Sequence, residues 1–435
     1  MIRTIRVLGC FIAAAHLSTG VGPLHADEWP QFRGHTGSGV SDEKNLPVEW
    51  AAGKRIVWSV ELPGRANSSP AVTRDRIDLT TRTNDRGLWV LSYSRDDGEL
   101  IHKIKVGAGT LAAPGPENLW AFRHNAATPT PCSDDDHIWA FFGSGLLVCV
   151  DAASGHVVWR KDMNDEYGPY DITFGMGSSP RLWGDHVYVA CMTKGPSYVV
   201  AFDKLTGEEA WKSDRTYDVA DDHPDAYSSP VVRQHGDAAE LIVSGAGFVD
   251  AWDLSSGKRN WSLGGLTIDS PYGRIIASAV PSPDGQSVVA TTGNPGGGGL
   301  GHLQTVHLGR DDAEIAWKYA RQTPDSSTPV IVDDLLYTMT DNGIATCFEV
   351  DSGEIVWQER LGDGAGPFHA ALVAGDDKVY FLGIDGLCIV VEHGREGKVL
   401  ARNTLPGTFY ATPAISDGIL YLRAYERLYA IGDES

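Results

Sequence analysis

The stretch Asp151-Ala152-Ala153-Ser154-Gly155-His156-Val157-Val158-Trp159 decides the fold, because it recurs. Asp203-x-x-Thr206-Gly207-x-x-x-Trp211 and Asp253-x-x-Ser256-Gly257-x-x-x-Trp261 repeat it in full. Asp351-Ser352-Gly353-x-x-x-Trp357 is a shortened copy, and Ala313-x-x-x-Trp317 keeps only its end. Asp and Ser or Thr side chains bond nearby backbone in a tight turn, and glycine takes the positive-φ position. The flanking residues, Leu147 to Val150 and Val157 to Trp159, are strand formers, so each copy reads as a β-hairpin.

Working outward, a second element precedes each hairpin. It reads Ser68-Ser69-Pro70, Ala127-Thr128-Pro129, Ser178-Ser179-Pro180, Ser228-Ser229-Pro230, Ser327-Thr328-Pro329 and Ala411-Thr412-Pro413, with degenerate copies at Ser278-Ala279-Val280 and His369-Ala370-Ala371. Successive copies lie 42 to 59 residues apart, which makes eight units. Each unit holds four short strands: one after the Ser-Pro element, one like His137 to Ala140, one like Leu146 to Val150, and the tryptophan strand. Four strands at this period read as a propeller blade; solenoid repeats are shorter and a sandwich has no such period. The eighth unit stops at Tyr429-Ala430-Ile431-Gly432, before its last strand, whereas Lys54 to Leu62 has that strand's character ahead of the first unit. The expected fold is therefore all-β: a single eight-bladed β-propeller of four-stranded blades over 54–435, closed by an N-terminal strand completing the last blade. A lead-in segment covers 27–53.

The chain has 435 residues, 42% of them hydrophobic, with 57 acidic against 36 basic side chains. A charge of −21 argues against nucleic acid or an anionic membrane surface as partner, since both need basic patches. Arg3 and Arg6, the apolar run Val7 to Leu17 and the small residue Ala26 give residues 1–26 the order of a secretory signal peptide, too short to span a membrane. A periplasmic or secreted protein follows, with lipid anchoring at Cys10 not expected because too little apolar sequence precedes it. Cys132, Cys149, Cys191, Cys347 and Cys388 are odd in number and sit in apolar runs, so they read as small buried hydrophobes.

The pattern Asp-x-x-Thr/Ser-Gly-x-x-x-Trp resembles the tryptophan-docking repeat of the pyrroloquinoline quinone (PQQ) type β-propellers. That superfamily includes quinoprotein alcohol dehydrogenases and the BamB-like outer-membrane assembly factors. The opening Trp29-Pro30-Gln31-Phe32-Arg33-Gly34 is similar to the start of exported PQQ-like repeat proteins. The resemblance implies that Trp159, Trp211, Trp261, Trp317 and Trp357 dock between neighbouring blades rather than cage a ligand. His102 and Ala401 stand at the corresponding places of units one and seven, where the blade contact should be weaker. A dehydrogenase of this kind needs a calcium ion on oxygen ligands, a catalytic carboxylate and a grip on the quinone. The resembling enzymes use adjacent cysteines over the cofactor; this sequence has no Cys-Cys pair and no C-x-x-C-H haem motif. No catalytic residue, cofactor or metal ligand is therefore assigned, and PQQ with calcium is kept as the alternative.

Gly293-Asn294-Pro295 and the glycines to Gly299 lack the Lys-Ser/Thr of a phosphate loop and read as a turn. Asp162 to Gly168 has the wrong spacing for a calcium loop, and Asp218 to Asp225 reads as a solvated loop. The residues just before the Ser-Pro elements ring one mouth of a propeller channel. Asn67, Arg123, His124, Asn125, Tyr227, Arg274, Asp325, His369 and Tyr410 form a mixed polar and aromatic mouth for a small ligand or peptide. The functional expectation is a monomeric, exported, non-catalytic BamB-like scaffold that binds envelope or secreted proteins, or a small ligand at the mouth. A PQQ-dependent dehydrogenase with a degenerate site and a soluble ligand-sensing or polysaccharide-associated module are the alternatives.

Overall fold

Each repeat unit folds into an antiparallel sheet of four strands, and eight such sheets are stacked around an axis. The computed structural model describes residues 28–111, 124–293, 301–309 and 313–432. The first strand of every unit is innermost, and neighbouring first strands such as Ala71–Val72 and Cys132–Ser133 approach one another around the axis. Middle strands such as His186–Cys191 and Tyr198–Asp203 are almost wholly buried, because each blade packs both faces on its neighbours. Outermost strands such as Glu209–Asp214 are largely exposed and carry the charge.

Closure follows the expectation. Ile56–Glu61 pairs antiparallel with Arg427–Ile431 as the outermost strand of blade 8, so the ring is sealed by main-chain hydrogen bonds between distant parts of the chain. One register differs. In blade 2 the inner strand follows Thr130-Pro131, not Thr128-Pro129, so that copy of the motif lies two residues further on.

The blades are keyed together by indole rings. The Trp159 N–H donates to the Lys204 carbonyl at 3.0 Å, Trp211 to Leu254 at 2.9 Å, Trp317 to Val350 at 2.7 Å and Trp357 to Gly394 at 3.2 Å, each in the turn of the next blade. Trp58 on the closing strand does the same to Arg95 of blade 1 at 3.0 Å. Trp261 departs from the pattern: its N–H turns to Glu240 of its own blade at 3.4 Å. His102 takes the tryptophan place in blade 1, with Nε2 3.1 Å from the Ala152 carbonyl of blade 2.

The lead-in does not stand apart from the propeller; it plugs it. Trp29 exchanges backbone hydrogen bonds with Val72 of blade 1, and the Pro30 carbonyl accepts from Ser133 of blade 2 at 2.8 Å. The Gln31 side chain pairs with the backbone of Leu182 in blade 3, and the Thr36 carbonyl accepts from Val232 in blade 4. Val40–Ser41 then adds a fifth, parallel strand inside blade 7 against Val373–Gly375. From there the chain runs outward, tied by the Tyr380 hydroxyl donating to the Pro47 carbonyl and by the backbone N–H of Trp50 donating to the Asn403 side-chain oxygen. Arg33, completely buried, donates to the carbonyls of Thr328 and Pro329 in blade 6 and of Leu372 in blade 7.

Candidate functional site

The Ser/Thr-Pro element explains itself at the channel wall. The backbone N–H of Ser69 donates to the Thr130 hydroxyl at 2.8 Å, Thr130 to Ser179 at 3.0 Å, Ser179 to Ser229 at 2.9 Å, Ser229 to Ser278 at 2.9 Å and Ser278 to Thr328 at 3.0 Å. Ala371 donates to Thr412 at 3.1 Å, and Thr412 returns to Ser69 at 3.0 Å. The result is a crown of seven hydroxyls, each satisfying a buried amide of the preceding blade. The break falls at blade 7, where Ala371 has no hydroxyl to offer. The Val40–Ser41 strand enters beside that break, and Arg33 bridges it.

Above the crown lies a cavity of about 230 Å³, with Phe32 of the plug among its lining residues. The plug closes one end, so the channel is a blind pocket. Asn67, His124, Tyr227, Arg274, Asp325, His369 and Tyr410 are brought together around it, joined by Phe174. Asn125 is not in the wall: its side-chain oxygen accepts from the Ala127 N–H and its amide donates to the Arg65 carbonyl, so it shapes the turn below the rim. Arg123 and residues 294–300, which include the glycines up to Gly299, lie outside the described residues.

Two aromatic groupings face each other across the pocket. On one side the Arg274 guanidinium lies 5.4 Å from the Phe174 centroid, Phe174 packs on Tyr227 at 6.3 Å, and His124 meets Tyr227 edge-on at 6.1 Å. On the other, His369 stacks on Tyr410 at 5.4 Å and Tyr410 on Tyr425 at 5.4 Å, with Arg65 over Tyr425 at 4.0 Å. His369 is oriented by Ser326, 2.9 Å from Nδ1, and by Asp341 at 3.3 Å. Burial pushes the His124 imidazole down to about 4, so it is neutral at physiological pH. Burial likewise holds the Tyr227 phenol well above its usual range.

The run Asp218 to Asp225 is solvated only in its first half, where Asp218, Ala220 and Asp221 are exposed. Asp222 pairs with Arg274 at 2.8 Å, His223 is buried between the carbonyls of Ala220 and Ile268, and Asp225 accepts from the backbone and hydroxyl of Thr173. It buttresses the rim, which neither composition nor spacing signals. Asp162 caps a single helical turn, Met163–Tyr167, by accepting from the Asn164 N–H, so its carboxylate is already engaged. The five described cysteines are all buried and unpaired.

A quinone–calcium pair does not fit this pocket. Asp325 is the one carboxylate among its lining residues, and among the described residues no group of three His, Cys, Asp or Glu side chains is placed to hold a metal ion. Among the described residues, the hard-oxygen cage such an ion requires is not assembled.

Blades keyed by tryptophan, eight in number and closed by strand exchange, define the class: a PQQ-like propeller. Within it, the chain belongs to the family described as outer membrane protein assembly factor BamB, whose model matches residues 107–359 and 341–434. The chain is 25% identical to outer membrane protein assembly factor BamB of Yersinia pestis over 276 residues, 59% of this chain and 63% of that protein. It is 27% identical to quinohemoprotein alcohol dehydrogenase ADH IIB of Pseudomonas putida, across 46% of this chain and 34% of the enzyme. The crystal structure of BamB from Moraxella catarrhalis superposes with a TM-score of 0.61 at 15% identity, over 87% of this chain and 97% of that one. The chain spans less than two thirds of the length of the first curated relatives it matches.

Proposed function

We propose that this protein is a non-catalytic scaffold for protein assembly in the bacterial envelope, reached through the leader of residues 1–26, and that it works without quinone or calcium. The observation that carries the reading is the family match over most of the ring, supported by a pocket with a single carboxylate among its described lining residues. A partner would engage the blade rims: Leu100 and Ile101 of blade 1 and Val157 and Val158 of blade 2 are exposed apolar residues at the start of neighbouring outermost strands. Outer strands offer unpaired backbone groups to an added strand, and apolar side chains there strengthen the pairing. Among the described residues no helix is long and apolar enough to cross a membrane.

The test is affinity capture of the tagged chain from detergent-solubilised envelope, with Leu100→Glu/Val158→Glu alongside. Outer-membrane assembly proteins are expected with the wild type and depleted with the double variant. Stoichiometric PQQ binding with calcium, together with dye reduction on an alcohol substrate, would overturn the reading.

A further inference from the structure

Each hydroxyl of the crown accepts one backbone N–H, but a hydroxyl also has a proton to give. In none of the seven does that proton meet a protein acceptor among the described residues. All seven side chains are at most 4% exposed, and all seven line the cavity. Seven donors with no matching protein acceptors, set around an axis and interrupted only at Ala371, are an uncommon surface for a protein to bury.

One guanidinium of the plug and one of blade 3 supply the charge behind it. Arg33 and Arg181 are both completely buried, and their guanidinium groups donate only to carbonyl oxygens: Arg33 to Gly37, Ser38, Thr328, Pro329 and Leu372, and Arg181 to Phe32, Gly34, His35 and Pro230. No carboxylate pairs with either among the described residues. Burial and then the Arg181 charge lower Arg33 to about 9, and burial lowers Arg181 to about 10, so both stay protonated at neutral pH. Thr328 joins the two layers, since its carbonyl accepts from Arg33 and its hydroxyl belongs to the crown. At the rim Arg274 adds a cation, balanced by Asp222, while Asp325 lies against Gly293. In a chain of net charge −21, two guanidinium groups thus lie one layer behind the donor-rich crown, outside the lining itself, which carries Arg274 and Asp325.

We propose that the blind pocket binds a small organic carboxylate, its oxygens accepting from the crown hydroxyls above Arg33 and Arg181 and its carbon body lying against Phe32, Phe174 and Tyr227. Charge-assisted hydrogen bonds from several hydroxyls at once give such a site its preference for an anion over a neutral ligand of the same shape. The aromatic walls select a ligand with a flat or apolar body over a bare inorganic ion. The inference is independent of the scaffold reading: a bound carboxylate is compatible with any partner at the rims.

The test uses the full chain and 4-fluorobenzoate followed by fluorine NMR, with benzamide as the uncharged analogue in competition. Saturable benzoate binding is expected, with benzamide at least about tenfold weaker. Thr412→Ser, which keeps the crown hydroxyl, leaves the affinity within about twofold, whereas Thr412→Val, which removes it, weakens benzoate by roughly tenfold. The comparison of benzoate with benzamide needs no variant, so it stands even where Thr412→Val folds poorly. Equal affinity for the two compounds, or no saturable benzoate binding below about 10 mM, overturns the proposal.

Discussion

Gly207 lies flat against the indole of Trp159, so close that a Cβ on the glycine would stand 2.7 Å from Cδ2 of the ring. The same contact joins Gly98 to Trp58, Gly353 to Trp317 and Gly397 to Trp357, and it closes the circle between the last blade and the first. The glycine serves twice, taking a φ of +71° in the turn and leaving room for the ring.

Gly207→Ala should therefore cost roughly 2–4 kcal/mol, from left-handed strain and the clash with the indole together. Gly236→Ala is the control, with φ +59° but nothing within 4 Å, and should cost about 1 kcal/mol. Urea midpoints at constant slope read the difference. Equal losses would show that the turn, not the docking, sets the need for glycine.

His102 is a smaller ring in a tryptophan place, reaching the Ala152 carbonyl over Gly155. His102→Trp is expected to stabilise the protein by about 1 kcal/mol through the added buried ring. A rise in the thermal midpoint checks this; a fall would mean that the seam between blades 1 and 2 has no room for an indole.

Arg33→Met should cost roughly 3 kcal/mol or more, because it strands carbonyls that the guanidinium now satisfies. The same variant should expose residues 28–50 to trypsin while the blades resist, as mass spectrometry of the fragments would show. Protection unchanged from the wild type would mean that the backbone bonds alone seat the plug.

Acid should loosen the plug as well. Burial and then the Arg181 charge push the His35 imidazole down to about 4, against an ordinary 6.5. Below 6.5 the unfolded chain takes up a proton that the folded chain refuses until about 4, so stability is lost as pH falls through that window, by roughly 3 kcal/mol at most. His124 acts in the same direction. Urea midpoints at pH 7 and pH 4.5 should differ less for His35→Gln than for the wild type.

The hairpins were legible because their signal is local: Asp253, Ser256, Gly257 and Trp261 lie within nine residues and each has one plain job. Ring closure was legible from the strand Ile56–Glu61, which has no partner nearby in sequence. The register of blade 2 was missed because Thr128-Pro129-Thr130-Pro131 offers the motif twice, and only the bond from Ser69 selects the second. The mouth residues were placed by counting back from the Ser-Pro element, which works for His369 and Tyr410 and fails for Asn125, whose amide is drawn into its own turn. The crown carried a visible signal, a Ser or Thr ahead of proline in six of the eight repeat elements, but its purpose depends on an amide some 50 residues away. The plug gave no local sign at all. Arg33 finds its partners 295 and 339 residues later, and nothing around Phe32-Arg33-Gly34 announces them.

That separation has a consequence in time. Residues 28–50 are made before any blade, yet their bonds need blades 1 through 4, then 6 and 7, already in place. The earliest part of the chain therefore cannot complete its bonds until the inner strands of later blades are in place. Until those bonds form, the inner strands that the plug covers are left bare on its side of the channel. Once Arg33 locks across the seam of blades 6 and 7, one door shuts, and later traffic has a single way in and the same way out.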